Sequence, residues 1–526
     1  MSQSENQINT QEGWQPENQV ERDRRDKLDR LRARSIDPYP LRVSRTHTIA
    51  EAVTAYEAAE KRTPEGQELE SIPVTITGRI VSHRPKGKMS FAHIEDGTGR
   101  VQIWLKEDIT GPETQALFND DLDLFDFVEA QGTMTRTKRG EVSVLVTNLR
   151  LLAKALSPLP VIKERTLDDG TVERYGEFSD PEERYRQRYA DLAVNPDVRQ
   201  VFVDRAKVIR ALRDFLDGEG FLEVETPILQ PLYGGAAARP FITHHNQLKQ
   251  DLYLRISFEL YLKRLLVGGI DAVYEIGKDF RNEGVDRTHN PEFTQIEFYK
   301  AYIDYNGVMD IVERMVRYVA QQVTGSTVIN FQGKTIDVAQ TWNRITLRDA
   351  IRQFSEIDYM EHTTADSLAQ VMRESGKHVP QGATWGKLID TLLGDDVQPN
   401  LIQPTFITEY PRDISPLAKR KPGDDFHVER FEIFIAGMEM GNAFTELNDP
   451  LDQEQRFIDM QRLYGAGDEE AHPIDEDYLG AMRYGMPPNG GFGMGVDRLT
   501  MLLTDRPNIR EVLLFPALRS RDEGDE

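Results

Sequence analysis

Residues 274–302, YEIGKDFRNEGVDRTHNPEFTQIEFYKAY, decide the fold. They read as strand, loop, strand. Side chains alternate across a strand. Phe293, Gln295, Glu297 and Tyr299 therefore share one face of the second strand, and Thr294, Ile296 and Phe298 take the other. A buried sheet should be apolar where the first set is polar. The preceding strand carries Tyr274 and Ile276 toward Arg281 and Glu283, and the loop holds Arg287, His289, Asn290 and Pro291. One face thus gathers a guanidinium, carboxylates, a phenol and an aromatic ring. That mix suits a ligand with an anionic and a cationic part. Alone, the pattern also describes an antiparallel hairpin with one wet face.

A chain of 526 residues, 39% of them hydrophobic, calls for two or more globular domains. No apolar run has membrane-spanning length. The polar start, MSQSENQINTQEGWQPENQ, lacks an apolar signal core. Cysteine is absent, which removes disulfides, thiolate metal sites and thiol nucleophiles. No histidine pair sits at metal-ligand spacing, so a His-rich metal site is not expected. A cytoplasmic location is the simplest reading. The net charge of −24 argues against a non-specific nucleic-acid binder, while leaving room for one local surface that meets a polyanion. Residues 21–35, ERDRRDKLDRLRARS, hold seven Lys/Arg against four Asp/Glu. They read as a helix with a basic bias or as a charge-laced surface helix.

The texture changes along the chain. Residues 1–20 read as a disordered tail and 21–64 as a helical region. Alternating segments follow at 72–81, 89–95, 100–106, 127–136 and 141–153, with a polar, helical stretch between the third and fourth. Five strands with a helix after the third is the order of an OB-fold β-barrel, whose face binds oligonucleotides. The barrel domain is assigned to 65–157 and a linker with a charged surface insert to 158–195. A larger α+β domain with an antiparallel sheet is assigned to 196–519, and a charged tail to 520–526. Within 199–218, Phe202, Ala206, Ile209, Leu212 and Leu216 form a helical stripe. FLEVETPIL then reads as a strand closing at Pro227. The glycine-rich GGFGMGVDRLTMLL at 490–503 brings backbone close to a ligand at Gly493 and Gly495, and Arg498 adds a fork suited to phosphate.

In this order, the helix and strand ending at Pro227, the hairpin and the glycine-rich segment resemble motifs 1, 2 and 3 of the class II aminoacyl-tRNA synthetases with an N-terminal OB-fold anticodon domain. Within that group the chain is similar to the bacterial-type lysyl-tRNA synthetases. The match runs from about residue 65 to 519. It rests on GGAAARPFITHHN (234–246), FRNEGVDRTHNPEF (280–293), LIQPTFITEYP (401–411), GNAFTELNDP (441–450) and GMGVDR (493–498). The resemblance implies ATP-dependent ligation of L-lysine to tRNA(Lys) through a lysyl-adenylate, with Mg2+, by a homodimer off the membrane. Arg281 would hold the α-phosphate and the amino-acid carboxylate, Phe293 would stack on adenine, Glu283, His289 and Asn290 would add ATP contacts, and Arg498 would meet the γ-phosphate. Arg281 and Arg498 would be the catalytic pair. Glu432 and Glu439 would carry Mg2+, which prefers hard oxygen ligands. Gly235, Glu259, Glu297, Tyr299, Asn442 and Glu446 would bind lysine, with Glu446 and Tyr299 on the ε-ammonium. Phe91, Gln102 and Glu141 would read the anticodon.

The chain departs from the family pattern at Ser257-Phe258, where Ala-Pro is frequent, at Met438, where arginine is frequent, and at Ala443, where glycine is frequent. Other readings share parts of the pattern: an aspartate- or asparagine-specific synthetase of the same subgroup, a paralogue that lysylates a protein, and an inactive nucleic-acid-binding protein.

Overall fold

The computed structural model describes residues 13–64, 67, 69–160, 163–166, 172–175, 178, 180–464 and 473–520. Most of the tail expected at 1–20, the centre of the insert within 158–195 and all but the first residue of the tail at 520–526 lie outside the described residues. The chain divides into two units, Met1–Glu177 and Phe178–Glu526.

The first unit opens with α1 (Gln19–Ala33) and α2 (Ile49–Arg62). The Asn18 side chain caps α1 by accepting from the Glu21 N–H at 3.0 Å. Residues between the two helices are not helical, so the helical region is two elements and an extended connection. The basic bias of α1 is spent within this unit. Lys27 pairs with Asp123 at 2.7 Å, Arg30 and Arg34 both reach the buried Asp121, and Arg24 donates to the carbonyls of Leu124, Ala155 and Ser157.

Five strands, β1 (Pro73–Arg84), β2 (Met89–Glu95), β3 (Arg100–Lys106), β4 (Phe127–Arg136) and β5 (Val142–Ala153), close into a barrel in the order β1-β2-β3-β5-β4. Short helical turns between Glu107 and Asp121 fill the connection after β3. Alternation sends Ile76, Ile94, Ile103, Val128 and Val144 into the barrel core. Gly132 sits at a register shift where β4 passes so close to β5 that a Cβ would strike the Leu145 carbonyl.

The second unit is built on one eight-stranded sheet. In chain order its strands are β6 (Leu222–Glu223), β7 (Ala272–Phe280), β8 (Glu292–Ala301), β9 (Asn343–Thr346), β10 (Thr405–Pro411), β11 (His427–Ile435), β12 (Met438–Thr445) and β13 (Asn489–Gly495). The sheet order is β9-β10-β11-β12-β13-β8-β7-β6, antiparallel except for the edge pairs β9·β10 and β7·β6. Helices α3 (Pro196–Gly218), α4 (Glu259–Val267), α5 (Tyr305–Thr324) and α6 (Val496–Leu503) accompany it. The core joins Leu212 and Leu216 of α3, Val312, Met315 and Val319 of α5, and Ile296 and Phe298 of β8. Their i, i+3 and i+4 spacing on α5 is what makes that helix amphipathic. Among the described residues no helix is long and apolar enough to cross a membrane.

Two sequence expectations need correction. On α3 the buried positions are Val198, Val201, Val208, Ala211, Leu212 and Leu216, whereas Ala206 is exposed and Phe202 and Ile209 are half-buried. Phe202 instead lies under the Arg188 guanidinium, 5.6 Å from its ring centroid. Nor is FLEVETPIL one strand: only Leu222–Glu223 and Leu229–Gln230 pair, in different sheets. Between them Thr226 gives its N–H (3.1 Å) and hydroxyl (2.7 Å) to the Glu275 carboxylate, and Pro227 has no N–H to give a ladder.

Candidate active site

The polar face of β8 opens on a cavity of about 310 Å3. Phe293, Gln295, Glu297 and Tyr299 line it, while Thr294, Ile296 and Phe298 are buried on the opposite side. Antiparallel pairing sets Glu297 opposite Gly493 of β13, and Asn442 of β12 opposite the same glycine. Glycines at 491, 493 and 495 therefore leave the sheet face bare between two rows of functional side chains.

Arg281, Glu283, His289 and Asn290 of the hairpin line the cavity with Glu432, Glu439 and Arg498. The Arg281 guanidinium carbon lies 5.1 Å from the Phe293 ring centroid, and its buried Nε has no partner. Arg498 donates to the Glu439 carbonyl at 2.6 Å and sits 3.0 Å from His289 Nε2. Asp286 in turn holds His289 Nδ1 at 2.8 Å. Asn290 spends its amide on the backbone of Glu292 and Ala517, which ties the loop down.

At the other end three carboxylates are buried together: Glu259 and Glu297 on the cavity wall, and Glu446 just behind it. Glu297 is the hub. It accepts from Ser257 Oγ at 2.7 Å, Gln295 Nε2 at 2.8 Å, Tyr299 Oη at 3.0 Å and the Phe258 N–H at 3.3 Å. Ser257 also accepts from the Glu259 N–H, so this departure from the family pattern adds a donor and an acceptor to the pocket. Phe258, Met438 and Ala443, the other departures, are buried. Gly235, at φ +89°, passes so near Ser257 and Glu259 that only glycine fits. Burial, reinforced by the Glu259 charge, pushes the Glu297 carboxyl up to about 7. Burial pushes Glu446 up to about 8, although the Lys263 ammonium opposes the shift. Burial alone would lower Lys263, but Glu259 and Glu446 hold it above its ordinary range.

Lys263 and Arg430 are site residues that sequence reasoning missed. Lys263 pairs with both Glu259 and Glu446 from the interior of α4. Arg430 donates to Glu432 at 2.6 Å and to Asn442 Oδ1 at 3.0 Å, leaving the Asn442 amide N–H groups unspent on it. The i, i+4 spacing of Glu259 and Lys263 was visible, but such pairs usually lie on exposed faces. Burial raises Glu432 to about 7 against the pull of Arg430, with Glu439 adding to the rise. Among the described residues no three His, Cys, Asp or Glu side chains converge as a metal cage. Two carboxylates beside an anion-suited pocket fit a hard cation whose other ligands are phosphate and water.

In the barrel, Phe91 of β2 stacks on Trp104 of β3, ring centroids 5.8 Å apart and planes 13° from parallel. Glu141 accepts from Gln102 Nε2 and meets His93 Nε2, each at 2.7 Å. The expected Phe91, Gln102 and Glu141 thus share one patch with Trp104 and His93, two residues that period-2 alternation could have flagged.

A family model for class II tRNA synthetases (D, K and N) matches residues 180–519, and one for an OB-fold nucleic acid binding domain matches 74–152. The chain belongs to the class II tRNA synthetases. The synthetase chain is 55% identical to a lysine--tRNA ligase of Roseiflexus castenholzii over 506 residues, 96% of this chain and 99% of the relative. It is 53% identical to a lysine--tRNA ligase of Chloroflexus aurantiacus, over 96% of this chain and 99% of that one. A lysine--tRNA ligase of Bacillus subtilis is 46% identical, over 95% of this synthetase chain and 97% of its own.

Proposed function

We propose that this chain ligates L-lysine to its tRNA at the cost of ATP, in the cytoplasm. The observation that carries the proposal is the closed end of the cavity, where Glu259, Glu297 and Glu446 surround the Tyr299 phenol. A substrate side chain ending there must be cationic, because a buried carboxylate needs a charged partner. An aspartate pocket would need a free cation. Lys263 is already shared by two glutamates.

Lysine would lie with its ε-ammonium at Glu446 and Tyr299, its α-ammonium at Glu259 and the Gly235 backbone, and its carboxylate between Asn442 and Arg281. Adenine would stack on Phe293, with Glu283, His289 and Asn290 shaping the ATP site and Arg498 on the γ-phosphate. Glu432 and Glu439 would hold Mg2+, which neutralises charge on the phosphates. A lysine carboxylate oxygen then attacks the α-phosphorus, the bond to the β-phosphate oxygen breaks, and pyrophosphate leaves. A terminal ribose hydroxyl of tRNA attacks the carbonyl carbon, and AMP leaves. The chain supplies positioning and charge stabilisation, with Arg281 on the developing charge, and needs no nucleophile of its own. Phe91, Gln102 and Glu141 would read the anticodon by stacking and edge hydrogen bonds. A homodimer completes the proposal. Exposed apolar residues Val203, Leu222, Ile228 and Leu229, on and just after α3, support a self-associating face.

The test is charging of purified tRNA with radiolabelled lysine. Acid-stable but base-labile label on RNA supports the function. Label on protein instead of RNA would favour a protein-lysylating enzyme.

A further inference from the structure

Lys263 is fully buried on α4 and has two carboxylate partners. Its ammonium donates to Glu259 Oε1 at 2.6 Å and pairs with Glu446 Oε2. The rings of Tyr299 and Phe444 lie 5.8 and 5.9 Å from it. Among the described residues neither Glu446 oxygen has a hydrogen-bond partner: Oε2 is held by the Lys263 ion pair alone, whereas the second oxygen, Oε1, is buried with no ion-pair partner either. It lies against Gly491, where a Cβ would strike it, and Gly491 is part of the cavity wall. One oxygen is therefore tied from behind, and the other is left for the cavity.

We infer that Lys263 is a positioning residue that fixes Glu446 as the reader of a substrate ammonium; this rests on lysine being the substrate. Charge counting supports it. The pocket holds three carboxylates, Glu259, Glu297 and Glu446, and a lysine substrate brings two ammoniums. Lys263 supplies the third positive charge. Without it, the loaded pocket keeps one uncompensated buried carboxylate, and burying an unpaired charge is costly. Neither tied oxygen would then have a fixed direction, because an ammonium with several donors can bridge two carboxylates where a neutral side chain cannot.

The test compares parent, Lys263→Met, Lys263→Arg, Glu446→Gln and the double variant Lys263→Met/Glu446→Gln in ATP–pyrophosphate exchange. Parent exchange on lysine is read first: its absence contradicts the proposed function, not this inference. Given that activity, Lys263→Met should raise the lysine KM by ~30-fold or more while the ATP KM moves by less than about 2-fold. Discrimination against norleucine should fall with it. Lys263→Arg should recover part of the loss. The double variant should be no weaker on lysine than Glu446→Gln alone, since both changes remove one interaction. It removes both ends of the Lys263–Glu446 contact and leaves only Glu259 without its ammonium, so it reports on coupling even where Lys263→Met is too unstable to assay. An unchanged lysine KM in Lys263→Met, equal losses for lysine and ATP, or losses that multiply in the double variant would each overturn the inference.

Discussion

Gly491 and Glu446 are so close that one methyl group at position 491 would strike Glu446 Oε1, and the same methyl would strike the Tyr299 ring. The glycine makes room for the pair of groups proposed to meet the lysine ε-ammonium. Gly491→Ala should therefore damage lysine recognition before anything else. Overpacking of this kind costs ~1–3 kcal/mol, which is about 5- to 140-fold in lysine kcat/KM at 1.4 kcal/mol per decade. Steady-state exchange kinetics at varied lysine and varied ATP check it. A larger effect on the ATP KM than on the lysine KM would place Gly491 elsewhere in the reaction.

Binding of lysine should release protons near neutral pH. Burial raises the carboxyls of Glu297 and Glu446 to about 7 and about 8. A carboxyl must be ionised to pair with an ammonium. Raised values mean that both groups take up protons at higher pH than an ordinary glutamate, so lysine affinity should fall as pH drops from 8 toward 6. At pH 7 the arriving ammonium expels the protons still held. Titration calorimetry at pH 7 in two buffers of different ionisation enthalpy measures this. Heats that do not depend on the buffer, or that indicate proton uptake, contradict the prediction.

Much of this site could be read from residues in order. Period-2 alternation separated Phe293, Gln295, Glu297 and Tyr299 from the buried Thr294, Ile296 and Phe298, because a strand allows only two faces. The barrel was legible for the same reason, down to the ends of β4. Helices were harder. The stripe on α3 was drawn through Ala206, which is exposed, because an alanine fits either side of a helix and gives little direction. Lys263 was hidden by its type: a lysine four residues from a glutamate reads as surface decoration unless the second carboxylate, 183 positions away in Glu446, is brought beside it. Thr226 interrupted an apparent strand through a contact with Glu275 that no local pattern announces.

Phe91→Ala should separate the two half-reactions. The Phe91 ring is half-buried and parallel to Trp104, on the same patch as Gln102 and Glu141. Stacking on a base is worth ~1–3 kcal/mol, so tRNA kcat/KM should fall by about 5- to 140-fold while lysine-dependent exchange is kept. Loss of exchange in parallel, with a lowered Tm, would make Phe91 a packing residue.

The most direct measurement is ATP–pyrophosphate exchange with each of the twenty amino acids in turn, without tRNA. The account predicts exchange on lysine far above every other amino acid, because only lysine brings two ammoniums to three buried carboxylates and one internal lysine. Exchange that is stronger on aspartate or asparagine, or absent with all twenty, would contradict it.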